Sequence, residues 1–152
     1  MKPTAATHEW LVEHEPFTVV RLHDDVIDLV GHPATHSYVE RFWLPIVGPS
    51  SVLALRRIAG WLERSPAGVT VSLGLLAGDL GIGQAPAART LARLVGFDLA
   101  AVTRADQLAV RTVLPPLPRR LAIRLPDHLA AAHDELVRAA AAANNRIVTD
   151  AA

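Results

Sequence analysis

"LAGDLGIGQAPAARTLARLVGF", Leu76 to Phe97, carries two short apolar periodicities separated by glycines. Leu73, Leu76, Ala77 and Leu80 recur at helical spacing. Ser72, just ahead of them, is a residue type whose side chain accepts an orphan amide at a helix start, so a helix is predicted over 72–80. The chain then turns over Gly81–Ala85, and Pro86 suits the first turn of a second helix reaching about Gly96. Leu91, Leu94 and Val95, with Ala87 or Ala88, form its buried face. Arg89 and Arg93, four residues apart, share roughly the opposite face, flanked by Thr90.

Outward from this pair, Pro49 opens a predicted helix to about Arg64, with Val52, Leu55, Ile58, Ala59, Trp61 and Leu62 as its apolar stripe. "VTVSL" (69–73) alternates like a short strand. Downstream, "DLAAVT" (98–103) and "QLAVRTV" (107–113) flank the polar turn "RAD" (104–106), a hairpin signal. "LPPLPRR" reads as an extended connector. A last helix is predicted from Pro126 to about Ala143, with Leu129, Ala132, His133, Leu136, Val137 and Ala140 along one stripe. Towards the N-terminus, residues 1–16 read as a loose polar leader in which Trp10 and Leu11 are surface anchors. "FTVVRL" (17–22) reads as a strand, and Asp24 starts one or two helical turns. "SYVE" (37–40) has capping-box spacing ahead of a helix over 37–46 that carries Phe42 and Trp43.

Apolar residues make up 51% of the 152, enough for a sizeable core, and charged residues 20%. No apolar run reaches the length of a membrane span, and the N-terminus lacks a signal-peptide run. The absence of cysteine excludes disulfides, thiolate metal sites and cysteine nucleophiles, so a cytoplasmic protein is expected. Charge is uneven. Residues 1–40 hold two basic and seven acidic residues, net −5, whereas 84–124 hold seven arginines and two aspartates, net +5. The second segment is a small basic footprint.

The order of helix, strand, helix, turn, helix and hairpin over 49–113, with "LAGDLGIG…ARTLARLVGFDLA…DQLAVR", resembles bacterial transcription regulators of the winged helix-turn-helix type. "YVERFWLPIVGPSSVLALRR" and the hairpin are also similar to uncharacterised actinobacterial proteins. The resemblance implies a mainly α fold with a small β-hairpin (α+β). It would comprise an acidic N-terminal segment (1–36), a winged helix-turn-helix core (37–125) and a C-terminal helix and tail (126–152). It also implies double-stranded DNA as partner and a role in transcription regulation. Gln84, Arg89, Thr90 and Arg93 would approach the groove, and Arg104 and Arg111 the phosphates. Such regulators are often dimers. A two-fold through the C-terminal helix, assisted by Trp43, would set two recognition helices on neighbouring half-sites.

Alternatives stay open at this level. Arg89 and Arg93 also fit a solvated face with local ion pairs, and Arg119, Arg120 and Arg124 fit either phosphate contact or pairing with the acidic N-terminal 40 residues. The alternative function is a winged-helix protein-interaction adaptor, with the acidic segment engaging a partner or covering the basic face. No metal or other cofactor is expected: His32 and His36 straddle Pro33, and His128 and His133 are five apart, a poor ligand spacing. "GIG" lacks the remainder of a phosphate loop and "GPSS" is no nucleophile elbow, so enzyme activity is not expected.

Overall fold

The computed structural model describes residues 4–150, which divide after Pro116 into two compact units. The first runs α1 (Thr4–Glu13), β1 (Phe17–Arg21), α2 (Asp25–Val30), β2 (His32–Pro33), a π-helical turn (Val39–Trp43), α3 (Leu44–Val47) and α4 (Pro49–Arg64). It continues through β3 (Val69–Val71), α5 (Leu73–Leu80), α6 (Gln84–Gly96), β4 (Ala100–Val102), β5 (Leu108–Val110) and β6 (Val113–Leu114). The class is α+β, mainly helical with a small mixed sheet.

Four strands lie in the order β3-β1-β5-β4. Strand β1 is the keystone, pairing antiparallel with β3 (Val19 opposite Val69) and parallel with β5 (Val19 opposite Leu108). Phe17 and Val19 alternate inward along it and are buried, as period-two geometry requires. β4 and β5 form the hairpin expected around 104–106, with Asp106 at φ 53° in the left-handed region that aspartate tolerates. A second ladder pairs His32 with Leu114. There Gly31 is obligatory, because a Cβ would lie 2.4 Å from the Leu114 carbonyl oxygen.

Local chemistry fixes the helix ends. Asp24 accepts the amides of Val26 and Ile27, starting α2, and Ser72 accepts that of Leu75, starting α5. Glu15, distant in sequence, accepts the amide of Leu73 at 2.8 Å, which places a carboxylate at the positive end of α5. Gly81 ends α5 in the left-handed conformation at φ 68°.

Within the first unit the structure departs from the sequence reading at four points. The supposed leader is helix α1, whose Leu11 is fully buried and which packs on α6. Helix 37–46 is π-helical over Val39–Trp43, with Pro45 inside the next α-helical turn, and the amide of Tyr38 is taken by His36 Nδ1. Trp43 is 1% exposed and donates its indole N–H to the Pro115 carbonyl at 2.9 Å, so it cannot assist a dimer contact. Finally, α6 starts at Gln84, and the turn shortens from five residues to Gly81–Gly83.

The second unit contains the helical turn α7 (Arg119–Ala122), where an extended connector was expected, and α8 (Asp127–Asp150). α8 runs past Ala143, the expected end. Of its predicted apolar stripe, only His133 is buried.

Candidate nucleic-acid interface

Helix α6 is enclosed around most of its circumference. Ala87, Leu91, Leu94 and Val95 face the core, Ala88 and Ala92 are buried as well, and α1, α4 and α5 all pack on this helix. At about 100° per residue, the remaining open arc carries Ala85, Arg89 and Arg93 in one line. Arg89 and Arg93 are both exposed, and among the described residues neither pairs with a carboxylate. Arg93 is held in place on one side, since Nη1 donates to the Val47 carbonyl at 3.2 Å.

The six residues proposed from sequence separate into two groups. Gln84, Arg89, Arg93 and Arg104 are exposed, the first three on α6 and Arg104 at the hairpin tip. Thr90 is not available to a ligand. It is 5% exposed, donates from Oγ1 to the Pro86 carbonyl at 2.9 Å and lies 3.1 Å from Ser50 Oγ. Thr90 points inward because it falls between the arginine line and the core face, where α4 arrives. Arg111 folds back instead of projecting: Nε donates to the Asp98 carbonyl at 3.1 Å and Nη1 is buried.

Sequence reasoning missed the contribution of α1. Thr4, Ala5 and His8 form one wall of a groove of about 470 Å³ whose other wall holds Arg89, Ala92 and Arg93. At the other end of α1, the Trp10 indole N–H reaches Asp106 at the hairpin tip at 3.5 Å, and His14 Nε2 lies 3.9 Å from the same carboxylate. Small side chains are the signal for this groove: Ala5 on α1 and Ala92 on α6 leave the space between its walls open. Alanine is so common in this chain, however, that the signal does not stand out.

Four of the seven acidic residues in the N-terminal 40 are engaged within the first unit. Glu15 caps α5 and Asp24 caps α2. Asp28 lies near Arg21 and His23, and Glu40 near Arg56. Arg119, Arg120 and Arg124, in the second unit, are exposed without a carboxylate partner among the described residues. Among those residues no cluster of His, Asp and Glu could hold a metal ion, and no helix is long and apolar enough to cross a membrane. No family model, curated protein or solved structure matches the chain.

Proposed function

We propose that this chain is a winged helix-turn-helix domain that binds double-stranded DNA and acts in transcription regulation. The observation that carries this reading is the pair Arg89 and Arg93, exposed together on the open arc of α6 with no carboxylate beside them. A three-residue turn between α5 and α6 and a hairpin directly after α6 support it, because both suit a helix presented to a groove. The open arc is narrow and flanked by α1, so the approach is shallow. Arg89, Arg93 and Arg104 contact phosphates, and Gln84, at the exposed first turn of α6, is left to contact base edges. Affinity then comes mainly from counterion release, with weak sequence preference.

The test is affinity for a DNA duplex as a function of salt. Log K falls linearly with log salt, and Arg89→Ala/Arg93→Ala flattens the slope by about 1.8, the value for two lost phosphate contacts. Absence of binding at low salt overturns the proposal and leaves the adaptor reading. One observation favours that second reading: α1 already lies along α6 and reaches the hairpin tip, showing that this face accepts a helix.

A further inference from the structure

A second cavity in the first unit, of about 360 Å³, lies away from α6. It sits where β1 and β5, parallel neighbours, release the chain. Arg21 is the last residue of β1, and Thr112 and Val113 follow β5. The segments that follow the two strands stay together, with His32 paired to Leu114 and the Ala34 amide donating to the Thr112 carbonyl, and the cavity lies beside this second ladder. Helix α4 closes this one with Arg56, Gly60 and Glu63.

Two guanidinium groups therefore line one cavity, and each keeps only a long ion pair. Arg21 Nε is buried without a partner, and its Nη2 stands 3.7 Å from Asp28, beyond hydrogen-bond length. The other oxygen of Asp28 faces His23 at 3.5 Å. Arg56 Nε donates to the Ala34 carbonyl at 3.1 Å, while its Nη2 is 3.7 Å from the largely exposed Glu40. Glu63 forms no ion pair among the described residues. Two guanidinium groups against the single Glu63 carboxylate leave the lining with an excess positive charge, and an unpaired buried N–H is unfavourable, so a further anionic acceptor would be favoured here.

Gly60 adds an independent observation. Glycine in a helix interior lowers helix stability, and close packing usually explains its presence. Here it does not, because a Cβ on Gly60 would meet only Arg64 Nη1, at 3.9 Å. The missing side chain leaves room on the cavity wall.

We propose that this cavity binds a small organic carboxylate with an apolar body. Arg21 and Arg56 hold the carboxylate, and the body lies over Gly60, Ala59 and Val113. The proposal is independent of the DNA reading and survives its failure. The 152-residue chain, labelled with ¹⁵N, is titrated with hexanoate and with benzoate, and with inorganic phosphate as the comparison anion. The expected result is saturable shifts clustered at Arg21, Gly60 and Thr112, with a Kd of about 1 mM or tighter for at least one carboxylate. Arg21→Gln weakens binding by about tenfold or more. Gly60→Leu abolishes it while the chain stays folded with an unchanged or higher Tm. Absence of saturable shifts with both carboxylates overturns the proposal. So does binding that persists in Gly60→Leu, or phosphate binding as tightly as either carboxylate.

Discussion

Helices α6 and α8 are both rich in alanine, and both carry aliphatic residues at helical spacing, yet they end in opposite environments. In α6 seven of thirteen residues are buried, and the alanines at 87, 88 and 92 are among them. In α8 only His133 of twenty-four is buried, and Leu136, Val137, Ile147 and Val148 face solvent. Amphipathic spacing states what a helix can bury. Burial itself depends on whether other elements reach it. Three helices pack on α6, and the apolar face it presents becomes core, leaving one line of arginines outside.

The sharpest way to break this contrast is to truncate one leucine in each helix. Leu94→Ala, at a fully buried site of α6, lowers unfolding free energy by about 2–5 kcal/mol in urea denaturation. Leu136→Ala, at a site 43% exposed in α8, changes it by about 0.5 kcal/mol or less in dilute solution. A loss at Leu136 that grows with protein concentration would show that a second copy covers α8.

A smaller effect sharpens the picture within α6. Thr90→Val removes the hydroxyl that donates to Pro86 and lowers stability by about 1 kcal/mol, while the salt dependence of DNA binding stays as in the wild type. Arg89→Ala shows the converse, with stability unchanged and a shallower slope. A Thr90 variant that alters DNA affinity would place this side chain at the interface, against its burial.

The smallest effect concerns the one buried position of α8. Burial pushes the His133 imidazole below its ordinary value of 6.5, and the nearby Asp134 carboxylate opposes this more weakly. The folded state therefore binds fewer protons than the unfolded chain just below pH 6.5, and stability falls as pH drops through that value. Amide exchange across Leu129–His133, corrected for intrinsic rate, should lose protection between about pH 7.5 and about pH 5.5. His133→Phe should lose less. Equal losses in the two proteins would remove His133 as the cause.

Much of the fold is legible in the sequence where chemistry is local. Pro49, Ser72 and Asp24 mark helix starts that the structure keeps, and the hairpin around 104–106 follows from alternation and a polar turn. The long-range features are not legible. Nothing in "TAATHEWLVE" states that it packs against a helix some eighty residues later, and no spacing rule predicts that Glu15 caps α5. The candidate interface was half legible for the same reason. The period of 3.6 put Arg89 and Arg93 outside, but the fate of Thr90 depended on where α4 lands, and that of Arg111 on a carbonyl across its own hairpin. Arg21 and Arg56 meet only because the parallel pairing of β1 with β5 brings their elements to one crevice.

That parallel pairing also bears on how the chain matures during synthesis. Strand β1 emerges from the ribosome well before β5, because its partner Leu108 lies 89 residues beyond Val19. At translation rates of about 5–20 residues per second, Phe17–Arg21 waits roughly 5–20 s with one edge unsatisfied. Assembly of the central sheet is thus a late event, governed by non-local closure and slow relative to the helices around it.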